Sequence, residues 1–410
     1  MTHRRDGATL GRRAALLGPA FVAGIAYVDP GNVATNMTAG SQYGYLLIWV
    51  VVAANLLAML VQYLSAKVGI ASGRTLPQLC RDHYSRRVSF FLWLQAEAVA
   101  LATDLAEVLG GALALYLLFD VPLLIGGLIT GGVSFSLLLL QKPATQARFE
   151  RAIIALLLVI TLGFTWSALA AGPDISSTIG GLVPRFAGVD TLMLATGILG
   201  ATVMPHAIYL HSALVQHRFG PGQRDDASKR ALLRATKTDV VSAMSIAGVV
   251  NLSMILLAAA ALFGVGVDSI EGAHQAIGDH LGAAVALLFA LALLASGFAS
   301  SSVGTYAGAV ILDGFLQRSI AVSVRRAVTM VPALAILALG IDPTKALVLS
   351  QVVLSFGIPF ALFPLVRFTR DPGVMGALVN RAVTTHAARA VAVVISALNV
   401  VLLGLTLGSW

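Results

Sequence analysis

The stretch Ala26-Tyr-Val-Asp-Pro-Gly-Asn-Val-Ala-Thr-Asn-Met37 decides how the rest of the chain is read. It lies inside the first long apolar run, where a membrane-spanning helix should be least interrupted, yet Asp29, Pro30, Gly31 and Asn32 follow one another there. Proline removes a backbone donor and clashes with the preceding turn, so the helix is expected to break at this point. Irregular backbone at membrane depth is tolerated only where it faces protein or a water-filled cavity. The stretch therefore predicts an interior site rather than a lipid-facing wall.

The surrounding composition supports a membrane setting. The chain has 410 residues, of which 58% are hydrophobic and 11% charged, and its mean hydropathy is +0.87. About 20 apolar residues cross the hydrocarbon layer as a helix. Eleven such stretches are expected, at about 14–40, 44–69, 88–117, 122–140, 149–171, 191–217, 237–264, 282–316, 322–341, 346–368 and 387–408. The alternating ten-residue segments of a membrane β-barrel are absent from the sequence. An all-α integral membrane protein is predicted.

The net charge of +8 is explained by orientation. With a cytoplasmic N-terminus and an extracellular C-terminus, all but two of the 27 Lys and Arg residues, Arg185 and Lys345, fall on the cytoplasmic side, as the positive-inside rule requires. A nucleic-acid partner is not needed to account for the basic balance. The N-terminal segment, with basic residues before an apolar run, is read as a cytoplasmic leader into the first span and not as a cleaved signal peptide. The single cysteine, Cys80, excludes an intramolecular disulfide and is placed in a cytoplasmic loop. The polar stretch 217–237 reads as the longest cytoplasmic connector, and 265–282 as a short surface helix or a solvated loop on the outer side.

A second interruption mirrors the first. In Leu199-Gly-Ala-Thr-Val-Met-Pro-His-Ala-Ile-Tyr-Leu-His-Ser212, the trio Met204-Pro205-His206 sits in the middle of the sixth span. Both breaks place proline directly after a candidate ligand. Five spans headed by a broken helix, followed by five more headed in the same way, predict inverted repeats with a midplane site between them. The expected organisation is one transport domain over 1–410, with repeat one at about 14–171, repeat two at about 191–368 and an added helix at about 387–408.

An ionised carboxylate at the bilayer centre costs about 2.5 to 3.5 kcal/mol, so Asp29 needs compensation. It is read either as a cap on the half-helix after the break or as a cation ligand; Asn32 would cap without a charge, which favours the ligand. Asn32 supplies an amide oxygen, and unwinding frees backbone carbonyls, Ala201 being the natural one in span 6. Met204 discriminates among cations. A thioether adds little for sodium, magnesium or calcium and favours softer transition metals. Gln351 in span 10 and Asn251 in span 7 are further amides, read as ligands or as cross-helix hydrogen bonds.

Span 3 carries Glu97, Asp104 and Glu107. At helical geometry they fall within roughly an 80° arc and about 15 Å of length. Three lipid-facing charges would cost on the order of 8 to 10 kcal/mol, so the stripe must face inward, with Arg325 and Arg326 of span 9 as counter-charges. It is either a structural ion-pair network or a proton path. His206, next to Pro205, is the better histidine for handling protons, and His211 reads as hydrogen-bonded packing with a possible secondary role.

Together these motifs resemble the Nramp family of proton-coupled divalent metal transporters. Asp-Pro-Gly-Asn in span 1, Ala-Thr-Asp-Leu-Ala-Glu in span 3, Met-Pro-His-Ala-Ile-Tyr-Leu-His-Ser in span 6, Gly-Thr-Tyr-Ala-Gly in span 8 and Arg-Arg-Ala-Val-Thr-Met-Val-Pro-Ala-Leu in span 9 occur in the family's order over nearly the whole chain. The resemblance implies a ten-helix inverted-repeat core with an eleventh helix, and import of Mn²⁺ or Fe²⁺ with H⁺ by alternating access. It implies Asp29, Asn32, Met204 and the Ala201 carbonyl as metal ligands, joined in some states by Gln351. It implies Glu97, Asp104, Glu107, His206, Arg325 and Arg326 as the proton-pathway network. Ala207 departs from the asparagine many members carry after Met-Pro-His. Related magnesium or aluminium transporters tend to lack the methionine, so Met204 points to the transition-metal branch. A multi-pass cell-membrane location, no bound cofactor and no obligatory protein partner are expected. The competing readings are a sodium-coupled amino-acid symporter on the same architecture and, more remotely, an intramembrane hydrolase, for which HExxH and GxSxG motifs are missing. The chain is therefore read as a transporter and not an enzyme.

Overall fold

A computed structural model describes residues 18–139, 146–220, 225–318 and 320–408. The cytoplasmic-leader reading of residues 1–17 lies outside the described residues, as do the start of the first expected span and part of the 217–237 connector. Among the described residues the chain is helical and has no strand. In chain order the helices are α1 (Pro19–Ile25), α2 (Pro30–Tyr43), α3 (Ile48–Ser72), α4 (Leu76–His83), α5 (Arg86–Phe119), α6 (Leu123–Leu139), α7 (Gln146–Ala171) and α8 (Ile175–Gly180). They continue with α9 (Val189–Thr202), α10 (Pro205–Phe219), α11 (Asp226–Ala261), α12 (Ile270–Leu281), α13 (Ala283–Leu316), α14 (Val322–Ala338), α15 (Pro343–Thr369), α16 (Pro372–Met375) and α17 (Ala382–Gly408).

Each of the eleven expected spans is helical. Span 1 is α1 and α2, span 6 is α9 and α10, and the other nine are α3, α5, α6, α7, α11, α13, α14, α15 and α17. Eight described helical stretches are long and apolar enough to cross a membrane, with span 6 counted as one. Span 6 is 94% buried along its apolar stretch and span 11 only 33%, which puts the second broken helix at the centre and the added helix at the edge.

The packing repeats as an inverted pair demands. The second half of span 1, α2, packs on span 7, α11; the second half of span 6, α10, packs on span 2, α3. Span 3, α5, packs on span 10, α15; span 8, α13, packs on span 5, α7. Exchanging repeat one for repeat two turns each contact into its partner. Helix α17 lies outside this exchange, against α15 and α9.

Two expectations about the basic side are corrected. The 217–237 stretch is not mainly a connector: α10 runs to Phe219 and α11 starts at Asp226. Its Ala, Leu, Lys and Arg content is strongly helix-forming, so span 7 extends beyond its apolar part. Cys80 is not in an open loop but is buried on α4. That helix is nucleated by a capping box between Thr75 and Gln78 with Pro77 in its first turn. The 265–282 stretch, read as a short surface helix or a solvated loop, forms helix α12, capped by Ser269.

Candidate metal-translocation site

Both breaks have the same construction. Span 1 ends α1 at Ile25, tightens into a 3₁₀ turn over Ala26–Val28, becomes extended at Asp29 and restarts with Pro30 as the first residue of α2. Span 6 ends α9 at Thr202, is irregular at Val203, extended at Met204 and restarts with Pro205. A proline that begins a helix has no N–H to give to the carbonyl four residues earlier. In span 6 that orphaned carbonyl belongs to Ala201.

The Ala201 carbonyl is recruited across the repeat. Asn32 Nδ2 donates to it at 2.8 Å and to Asp29 Oδ1 at 2.8 Å, tying the two breaks together. The Asn32 backbone N–H also donates to Asp29 Oδ1 at 2.9 Å, so Asp29 does cap α2. Cap and ligand are thus not exclusive readings. Oδ1 is used by the cap, while Oδ2 is buried with no hydrogen-bond partner, as are Asn32 Oδ1 and Gln351 Oε1. Asp29, Asn32, Ala201, Met204 and Gln351 are all 0% exposed.

Gln351 is wedged between the breaks. A β-carbon on Gly31 would overlap the Gln351 side-chain amide, and one on Gly200 would overlap the Gln351 backbone carbonyl. These glycines are required by close approach. Pro30 likewise rests against Gly110 of α5, where a β-carbon would overlap its ring. Among the described residues no group of three or more His, Cys, Asp or Glu side chains is arranged to hold a metal. Near the breaks, oxygens of one carboxylate, Asp29, and of two amides, Asn32 and Gln351, are buried without a hydrogen-bond partner.

The other freed carbonyls of span 1 are held by side chains. Asn251 Nδ2 donates to the Tyr27 carbonyl at 2.7 Å, and its Oδ1 accepts from Asn36 at 2.9 Å. Ser296 Oγ donates to the Val28 carbonyl at 2.6 Å. Asn251 therefore stands behind the break, supporting it. His211 Nδ1 bonds Gln62 Oε1 at 2.7 Å, and Gln62 in turn bonds the Tyr27 hydroxyl. This is the hydrogen-bonded packing expected of His211.

The acid stripe on α5 faces inward and meets both arginines. Glu97 pairs with Arg325 at 2.7 Å and Asp104 with Arg326 at 3.3 Å. Arg326 is also held by Thr305 at 3.3 Å and by Ser301. Among the described residues Glu107 has no ion pair and its Oε2 is without a hydrogen-bond partner, and a β-carbon on Gly304 would come within 2.7 Å of its carboxylate oxygens. His206 links the two regions: its Nδ1 lies 3.2 Å from the hydroxyl of Thr103, the neighbour of Asp104, and its Nε2 is unpartnered.

The family model described as Natural resistance-associated macrophage protein-like, Nramp, matches residues 20–405. The chain belongs to the Nramp family. Among Nramp relatives, the divalent metal cation transporter MntH of Mycobacterium tuberculosis (strain CDC 1551 / Oshkosh) is 57% identical over 395 residues, covering 95% of this chain and 91% of its own length. MntH of Bacillus subtilis (strain 168) is 48% identical over 403 residues, covering 97% and 94%. The crystal structure of the Eremococcus coleocola manganese transporter, in complex with an aromatic bis-isothiourea substituted compound, superposes with a TM-score of 0.85 at 30% identity, covering 98% of this chain and 87% of that one.

The geometry gives the Nramp motif of span 8 a physical meaning that the sequence did not disclose. In Gly304-Thr-Tyr-Ala-Gly308, Gly304 makes room for the Glu107 carboxylate, Gly308 for the Arg325 guanidinium, and Thr305 bonds Arg326. Two glycines four residues apart lie on one helix face, and that spacing was the available signal. Ser301, Thr305, Thr103 and Ser296 were missed because hydroxyls in apolar helices commonly bond their own backbone.

Proposed function

We propose that this chain is a secondary transporter that imports a divalent transition metal, Mn²⁺ or Fe²⁺, together with H⁺ by alternating access. The observation that carries the reading is the buried, unpartnered Oδ2 of Asp29 at the junction of two broken helices. Taking a carboxylate out of water is costly unless a cation or a proton joins it. Asn32 Oδ1 and Gln351 Oε1 are unpartnered oxygens of the same region, and Met204 adds the softer donor that favours a transition metal over Mg²⁺ or Ca²⁺. The names of the MntH relatives and of the Eremococcus manganese transporter support divalent metal as the cargo.

Protons would travel by way of the α5 stripe. Glu107 is the stripe acid without an arginine, and Thr103 with His206 connects the stripe to the span 6 break. Glu97–Arg325 and Asp104–Arg326 would hold the route in place and neutralise its other two acids. The transport unit comprises repeats at about 14–171 and 191–368 with span 11 outside them, in the cell membrane with its N-terminus cytoplasmic and its C-terminus extracellular.

Proteoliposomes test the proposal. Mn²⁺ uptake should accelerate when the outside is more acidic than the inside, and Met204→Ala should admit Ca²⁺ or Mg²⁺ while retaining Mn²⁺ uptake. Uptake indifferent to the proton gradient removes the coupling, and amino-acid uptake without metal uptake replaces the reading with the symporter.

A further inference from the structure

A groove of about 770 Å³ opens on the basic side of the bundle, far in sequence from both breaks. The end of α4, the start of α5 and the end of α13 form it, and its lining includes Arg81, Arg86, Arg87, Phe90, Leu316 and Arg318. Four arginines thus line it. Arg81 is fixed by the Gly314 carbonyl at 2.9 Å and by Asp82 at 3.0 Å. Asp82 is shared with Arg74 at 3.4 Å, so this carboxylate is already taken up. Arg86, Arg87 and Arg318 are exposed and have no ion-pair partner among the described residues.

Two features make this more than a solvated basic loop. Arg86 and Arg87 occupy the first turn of α5, which has no acidic residue. The helix dipole places partial positive charge at that end, so two arginines there are mutually unfavourable until an anion joins them. The chain also enters apolar surroundings at once: Val88, Phe90, Phe91 and Leu94 are large hydrophobic residues left 44–53% exposed. The groove thus joins a cationic mouth to an apolar wall along a helix that goes on to cross the membrane.

We infer that this groove binds the phosphate-bearing headgroup of an anionic phospholipid, with Arg86, Arg87 and Arg318 on the phosphodiester and Phe90 and Leu316 against the first acyl carbons. Arginine suits the role because its planar fork donates two parallel hydrogen bonds to phosphate oxygens. A free phosphate would gain the charge pairing and leave the apolar wall uncovered. A zwitterionic lipid would cover the wall and bring its own cation to the arginines. An anionic phospholipid satisfies both.

The test uses the full chain in detergent and follows thermal unfolding with added lipid. Phosphatidylglycerol should raise the Tm of the wild type, and phosphatidylcholine and inorganic phosphate should not. Arg86→Gln/Arg87→Gln/Arg318→Gln should lose the phosphatidylglycerol shift. Arg230→Gln/Arg234→Gln/Lys237→Gln, which removes the same charge from α11 on the same side, should keep it. An equal shift with phosphatidylcholine or inorganic phosphate, or equal loss in both triple variants, overturns the inference. If the groove variant does not fold, photoactivatable phosphatidylglycerol on the wild type decides. Cross-links mapped to residues 81–90 and 315–318 support the site, and cross-links elsewhere refute it.

Discussion

The paired breaks and the α5 stripe both bury carboxylates, and they treat them in opposite ways. At the stripe, Glu97 and Asp104 each meet an arginine, and Arg326 is braced further by Thr305 and Ser301. At the breaks, Asp29 has no cationic partner among the described residues; one oxygen is used by the α2 cap and the other has no hydrogen-bond partner there. A buried pair that satisfies itself gives a fixed scaffold, whereas an incompletely satisfied carboxylate retains the capacity to bind. On the proposed function, this difference would place the cargo at the breaks and leave the arginine-paired part of the stripe to support and proton passage. Glu107 is the informative exception, a stripe acid that, like Asp29, forms no ion pair among the described residues.

The largest expected effect comes from removing the unsatisfied carboxylate. Asp29→Ala should abolish Mn²⁺ binding measured by calorimetry, a loss beyond the about 10–100-fold that deleting an outer-shell partner costs. Binding retained near the wild-type level would erase the distinction between the two regions.

The sequence made this contrast partly legible. Both breaks were visible because each proline follows a polar or sulfur-bearing residue inside an apolar run, and Arg325 and Arg326 could be matched to the stripe because three uncompensated acids are too costly in lipid. What remained hidden depends on partners far apart in the chain. Nothing local in Asn32 says that its amide reaches Ala201, or in Asn251 that it holds the Tyr27 carbonyl, 224 positions away. Gly31 reads as a helix breaker, and only the approach of Gln351 shows it also to be a spacer. The 217–237 stretch misleads for a different reason: its polarity resembles that of a connector, and helical propensity with solvated charges overrides it.

The next effect tests the paired side. Arg326→Met strands Asp104 without its counter-charge and should cost about 3–5 kcal/mol of stability, the usual consequence of breaking a buried pair. Adding Asp104→Asn should recover part of that loss in thermal unfolding. Arg325→Met should cost less, since the Glu97 side chain is 19% exposed and water reaches it. Equal losses for the two arginines would mean that burial does not set their importance.

A smaller effect is expected at the spacer. Gly31→Ala puts a β-carbon into the Gln351 amide, and overpacking of this kind costs about 1–3 kcal/mol. Mn²⁺ uptake in proteoliposomes should slow while Asp104–Arg326 and the stability it provides are retained. Uptake at the wild-type rate would show that span 10 need not approach span 1 so closely.

The most direct measurement is the anomalous signal of Mn²⁺ in crystals of the full chain soaked with the metal. The account predicts one peak between the two breaks, within coordination distance of Asp29 Oδ2 and of the Met204 sulfur. A peak on the α5 stripe at Glu107, with none at Asp29, would contradict it.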